Sequence, residues 1–192
     1  MNIESIKKLL ENYTPFNEQE EKDRALILHE IKDEKILYRS NLSEHITVSA
    51  WVVNPSYDKV LMAYHNIYDS WAWLGGHADG EADLKKVALK EATEESGIQH
   101  AKIALDDIFS VEVLTVDGHI KKGEYVPSHL HLNFTYLIVA DENDALRIKE
   151  DENSNVAWFT FDEAISKSNE PWFKQNIYPK LIEKTVELKG RL

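Results

Sequence analysis

Three glutamates, Glu91, Glu94 and Glu95, are the residues in this chain whose types and spacing most directly suggest chemistry. On a helix their i,i+3 and i,i+4 steps place all three carboxylates within an arc of roughly 100°. Like charges so close repel one another, and a cluster of hard oxygen donors is what a hard divalent cation needs. Mg²⁺ is the expected ion, with Mn²⁺ the alternative. A solvated helix face would explain the glutamates alone. It would not explain the Gly75-Gly76 turn before them or Gly97 directly after.

The elements that must position these side chains can be read from periodicity. Leu84 to Ser96 predicts a helix, which Gly97 can terminate in a left-handed conformation. Asp79-Gly80-Glu81 reads as a capping turn at its start, with acidic charge suited to a helix N-terminus. Upstream, His45 to Asn54 and Lys59 to Tyr64 predict two strands of a hairpin around the Asn54 to Asp58 turn. Ile108 to Val116, Leu130 to Val139 and Val156 to Phe159 predict further strands. The polar stretch Asp117 to Ser128 between the first two of these reads as an exposed loop. Phe161 to Ser166 and Trp172 to Leu188 predict helices, the second kinked or divided by Pro179. Residues 1–42 form a helical N-terminal extension of two amphipathic segments, Asn17 or Thr14 capping the second. The remainder, 43–192, reads as one α/β domain with a mixed sheet covered by helices.

Composition narrows the classes of function. The chain has 192 residues and a formal net charge of −12, from 34 acidic against 22 basic residues. Bulk electrostatics therefore gives no reason to bind nucleic acid or an anionic membrane. A phosphorylated small molecule would have to be brought in by a bound cation, which reverses the local field. No apolar stretch reaches the ~18 residues needed to span a bilayer, and the N-terminus lacks a signal-peptide core, so the expected compartment is the cytoplasm. Without any cysteine, disulfides, thiolate metal sites and a cysteine nucleophile are excluded.

From Gly76 the chain resembles the Nudix box: Gly, five residues, Glu, seven residues, then Arg-Glu-apolar-x-Glu-Glu-x-Gly-apolar. Lys90-Glu91-Ala92-Thr93-Glu94-Glu95-Ser96-Gly97-Ile98 matches the second half. Two positions depart, because the first Glu falls on Ala82 and the Arg on Lys90; Gly75 with Glu81 satisfies the first spacing if an extra residue precedes the helix. The acidic loop and Val156-Ala157-Trp158-Phe159 strand extend the likeness over roughly residues 43 to 170. Gly-Gly-His-Ala-Asp-Gly and His129-Leu130-His131-Leu132 resemble a bacterial subgroup of that family with a helical N-terminal extension.

The resemblance implies an α/β/α sandwich and a metal-dependent pyrophosphohydrolase cleaving a phosphoanhydride in a nucleoside diphosphate derivative or related small molecule. It makes Glu91, Glu94 and Glu95 metal ligands, with the Gly76 carbonyl as a backbone ligand. One of these glutamates, or Glu152, would accept the proton of the attacking water. His77, and the pair His129 and His131 on one strand face, are candidates to contact substrate; the pair could equally contact a metal. Tyr64, Tyr68, Trp71, Trp73 and Tyr125 are candidates to stack on a base. Ala82 and Lys90 leave a second reading open, a Nudix-fold sensor that binds a nucleotide without cleaving it. The related isomerase of isopentenyl diphosphate needs a cysteine and does not fit. The extension permits a homodimer without requiring one.

Overall fold

The computed structural model describes residues 2–121 and 123–191. In chain order its elements are α1 (Ile3–Asn12), α2 (Glu18–Glu30), a 3₁₀ turn (Glu34–Leu37), β1 (Glu44–Val53), β2 (Lys59–His65), β3 (Ser70–Ala72), β4 (Leu74–His77), α3 (Leu84–Ser96) and β5 (Ala101–Ile103). There follow β6 (Ser110–Val116), β7 (His119–Lys121), β8 (Glu124–Val126), β9 (His129–Ala140), β10 (Asn153–Thr160), α4 (Phe161–Lys167), a π-helical turn (Phe173–Ile177) and α5 (Tyr178–Lys189). Strands pair in the order β10-β2-β1-β9-β5, with β3 on β2, β4 on β1 and β6 on β9. The residues fall into two compact units: Met1–Ser49, Gly76–Ala88 and Leu105–Tyr136 in the first, Ala50–Gly75, Leu89–Ala104 and Leu137–Leu192 in the second.

In the first unit, the two N-terminal helices begin at asparagine caps, because Asn2 and Asn17 each accept a backbone N–H of the first turn. Arg24 clamps the end of α1 by donating to the carbonyls of Leu10 and Glu11, both at 2.7 Å. Polar side chains hold α2 on β6. Gln19 donates to the Val111 carbonyl at 3.2 Å, Asp23 accepts the Val113 N–H at 2.9 Å, and Glu20 accepts the Ser110 hydroxyl at 2.8 Å. The extension therefore packs on its own chain, through a buried face that includes Ile6, Leu10 and Ile27. β6 runs antiparallel to the first part of β9, from Ser110↔Thr135 to Val116↔His129.

The stretch expected to be a loop, Asp117 to Ser128, instead holds a small antiparallel hairpin of β7 and β8, with His119↔Val126, Ile120↔Tyr125 and Lys121↔Glu124 paired. Its strands are three residues each, too short for an alternating pattern to register in sequence. The expectation of exposure holds, since Ile120 and Tyr125 are both open to solvent.

In the second unit, β2 is flanked by β10 and β3, and the Asn54 side chain closes the β1–β2 hairpin by accepting the N–H groups of Asp58 and Lys59, both at 3.1 Å. Trp51, fully buried on β1, donates its indole N–H to Thr185 at 3.1 Å and stacks on Tyr178 of α5. Pro179 does divide the last helical stretch. It occupies the first turn of α5, where a missing N–H costs nothing, and the chain before it is a π-helical turn.

Candidate functional site

The glutamates lie on the half of α3 that belongs to the second unit. Glu91 and Glu95 are buried, at 7% and 6% exposure, and Glu94 is more open. Burying two carboxylates on one helix face needs compensation. Glu95 accepts the Gly75 N–H at 3.0 Å; burial, with repulsion from Glu91 and Glu152 and only partial relief from Gly75 and Lys149, pushes its carboxyl up to about 8. Lys90 Nζ is 3.0 Å from Glu91 and 3.5 Å from Glu94.

Glu152 joins this cluster from the loop before β10. Its carboxylate is 2.9 Å from Lys149 Nζ, which also reaches Glu94 at 3.6 Å. Asn153 explains how the loop is held there. The pairing of β10 with β2 is irregular between Asn153 and Asn155, a bulge that turns the start of the strand. The buried Asn153 amide donates to the Glu95 carbonyl at 2.9 Å, while its oxygen accepts the Lys149 N–H at 3.1 Å. One side chain thus ties the end of the glutamate helix to the loop that carries Lys149 and Glu152. Neither Lys149 nor Asn153 was singled out from sequence, where no spacing links them to α3.

The ends of α3 differ in how well they were anticipated. Gly97 has φ of +78°, as expected of a left-handed terminator, and its N–H bonds the Thr93 carbonyl at 2.8 Å. At the other end Asp79 is not the cap. Its carboxylate is held by two nitrogens of Arg39, and Asp83 instead accepts the Lys86 N–H at 3.3 Å. The reason is distance along the chain: the helix starts at Leu84, and only Asp83 is adjacent to it. Glu81 accepts the Asp83 N–H at 2.9 Å and pairs with Lys86, and Ala82 is buried. The helix is unbroken from Leu84 to Ser96. Gly76 lies on β4 in the first unit.

The histidines form a second cluster, within the first unit. His77, His129 and His131 come together around a fourth, His45, which sequence reading left inside a strand. Ring centroids of His45 are 5.0 Å from His77, 4.8 Å from His129 and 5.1 Å from His131. The Leu130 N–H bonds the Ser43 carbonyl at 2.9 Å and the Ala78 N–H bonds the Ile46 carbonyl at 3.1 Å, which brings the three strand ends together. Burial, reinforced by Arg39 and the other imidazoles, pushes His77 down to about 3; burial and its neighbouring histidines push His131 down to about 2. Both rings are therefore neutral. Among the candidate aromatics, Trp71 packs edge-on against Tyr64 and Phe159, Trp73 against Phe173 and Tyr178, and Tyr68 stacks on His65, whereas Tyr125 is exposed.

Comparison with known proteins gives a consistent result. The profile described as NUDIX domain matches residues 43–181. No curated protein sequence matches the chain. Among solved structures, a hydrolase of the NUDIX family from Clostridium perfringens is similar with a TM-score of 0.54 at 20% identity, covering 75% of this chain and 97% of that one. An Ap4A hydrolase from C. elegans, in a binary complex, gives 0.54 at 18% identity, covering 77% and 98%. A Nudix hydrolase from M. smegmatis, RenU, gives 0.53 at 15%, covering 74% and 85%. At such identities the likeness is one of fold, and it agrees with the α/β class expected from sequence. Among the described residues no helix is long and apolar enough to cross a membrane.

Proposed function

The chain belongs to the Nudix family, a family of pyrophosphohydrolases, and from that premise we propose that it hydrolyses a phosphoanhydride bond of a nucleoside diphosphate derivative or related small molecule with Mg²⁺ or Mn²⁺ bound at Glu91, Glu94 and Glu95. The observation that carries this reading is the burial of the Glu91 and Glu95 carboxylates on one helix face, with Glu94 and Glu152 beside them on Lys149. A hard dication is what such an all-oxygen donor set accommodates, because it turns mutual repulsion into shared attraction. The Gly76 carbonyl is proposed as a further ligand. When bound, the metal would supply Lewis-acid neutralisation of the phosphate oxygens.

The chain's own residues then have distinct tasks. Glu91 and Glu95 present oxygens from a rigid helix face, fixed at its end by Gly97 and Asn153. Glu94 or Glu152, both more open and both on Lys149, is proposed as the group that accepts a proton from water. Lys149 and Lys90 lower the negative potential that a phosphate would meet. His77, His129 and His131 enter this reading only as substrate contacts, and their own geometry supports a stronger assignment.

The test is release of phosphate-containing product from a panel of nucleoside diphosphate derivatives and dinucleoside polyphosphates with Mg²⁺ or Mn²⁺. Glu94→Gln should abolish turnover, and retained turnover in that variant contradicts its metal role. Tight nucleotide binding by calorimetry without turnover would favour the sensor reading, which the Lys90 and Ala82 departures motivate. The cytoplasm remains the proposed compartment, and a homodimer the proposed assembly if the chain self-associates.

A further inference from the structure

We propose that His45, His77 and His131 form a second metal site, one for a borderline transition-metal dication of the Zn²⁺ class, which ties together β1, β4 and β9 within the first unit, with His129 at its margin. One ring nitrogen from each of the three lies within 4.8 Å of the others. All-imidazole donors suit Zn²⁺, Co²⁺, Ni²⁺ or Cu²⁺ and are poor ligands for Mg²⁺ or Ca²⁺.

The tautomer of His45 points to a ligand. Its Nδ1 is 3.0 Å from the Asn41 carbonyl, so that nitrogen carries the hydrogen and Nε2 presents a lone pair. Nε2 is buried, in a residue 4% exposed, and has no hydrogen-bond partner among the described residues. A buried acceptor with nothing to accept is destabilising and rare, and it requires an explanation. A hydrogen on Nδ1 bonded to a backbone carbonyl is also how metal-bound histidines are commonly oriented.

The other rings fit the same occupant. His129 Nδ1 is 2.9 Å from the Pro127 carbonyl, which leaves its Nε2 as a lone pair, and that atom is 3.1 Å from His131 Nε2. A proton between His129 and His131 would satisfy that pair and still leave His45 Nε2 with nothing. In a tetrahedral zinc site with bonds of about 2.0–2.1 Å, ligand nitrogens are about 3.3–3.4 Å apart, so the trio needs a contraction of under about 1.5 Å, within reach of ring rotation. Among the described residues the nearby cations are Arg39, paired with Asp79, and Lys121.

The full chain, stripped with EDTA and dialysed, is titrated with Zn²⁺ by calorimetry and with Co²⁺ by visible absorption. One equivalent of Zn²⁺ should bind, Co²⁺ should give the intense bands of a four-coordinate site, and excess Mg²⁺ should displace neither. His77→Ala and His131→Ala should each weaken Zn²⁺ at least ~100-fold, beyond what loss of an outer-shell partner causes. Because replacing buried His45 can unfold its strand, the partly exposed His77 and His131 serve as the variants. A Zn²⁺-dependent rise in wild-type melting temperature, absent in both variants, is the second readout. Glu94→Gln should bind Zn²⁺ as wild type does. No stoichiometric Zn²⁺ binding, unchanged affinity in both histidine variants, or loss of Zn²⁺ in Glu94→Gln would each overturn the assignment. Hydrolysis without Zn²⁺ binding refutes this site alone; Zn²⁺ binding without hydrolysis refutes only the reading of the carboxylates.

Discussion

Glu95→Gln should make the metal-free protein more stable while disabling it. The carboxyl moves from 4.5 to about 8 on folding. A group whose folded pKa is raised contributes stability that is present below its unfolded pKa and lost as pH rises through the folded one. Metal-free wild type should therefore lose stability steadily between about pH 4.5 and 8 at this site. At full strength the shift corresponds to roughly 4–5 kcal/mol by pH 8. Gln keeps an oxygen to accept the Gly75 N–H but must bury an amide NH₂, so we expect a net gain of about 1–3 kcal/mol. The assay is urea unfolding in EDTA at pH 5 and pH 8, repeated with saturating Mg²⁺. Glu95→Gln should be more stable than wild type at pH 8 and similar at pH 5. Mg²⁺ should stabilise wild type and leave the variant little changed, with turnover reduced at least about 100-fold. A variant that is less stable than wild type at pH 8 in EDTA, or that keeps its Mg²⁺ response, would refute the claim that Glu95 is strained in order to hold a cation.

Other expectations follow from single contacts. Gly97→Ala puts a Cβ 2.9 Å from that of Arg147 and 3.0 Å from its backbone nitrogen, at φ of +78°. A loss of about 2 kcal/mol in urea unfolding is expected, since a left-handed non-glycine residue alone costs roughly 1–2. Asn153→Ala removes the bonds to the Glu95 carbonyl and the Lys149 N–H. It should cost about 1–3 kcal/mol, from the buried groups left unpaired, and lower kcat more than it raises KM. Burial holds the Glu170 carboxyl up at about 7, so its contribution is present below 4.5 and lost as pH rises through 7. Glu170→Gln should raise the melting temperature at pH 8 and not at pH 4.5; equal effects at both would show that burial of its charge is not the cause.

Legibility in the sequence followed the length of each pattern. The helix carrying the glutamates was readable to the residue, because its periodicity and the terminating Gly97 agree. So were the long strands β1, β2 and β9, within one or two residues at each end. The short strands β3, β4, β5, β7 and β8 were not, since three or four residues carry no distinctive period. Site residues divided the same way. Glu91, Glu94 and Glu95 are neighbours in sequence, whereas Asn153 and Lys149 reach them by a bulge and a loop, and His45 meets His77, His129 and His131 only through strand pairing. His45 did leave a trace: it is one of eight histidines in the chain, four of which fall beside the same three strand ends.

The departure at Lys90 bears on whether this centre can turn over substrate. An arginine there could hold two carboxylates in a fixed fork, which an ammonium cannot. Yet Lys90 Nζ lies within reach of both Glu91 and Glu94, so one point charge spans the same two carboxylates. Lys149 does the equivalent for Glu94 and Glu152. Two mobile ammonium groups thus share the compensation a guanidinium could supply rigidly at one of these pairs. A charge on a flexible stem also yields to an incoming cation more easily than a planar fork does. The substitution changes how the glutamates are restrained without removing any of the carboxylates, which is the reason to favour a hydrolase over a silent sensor.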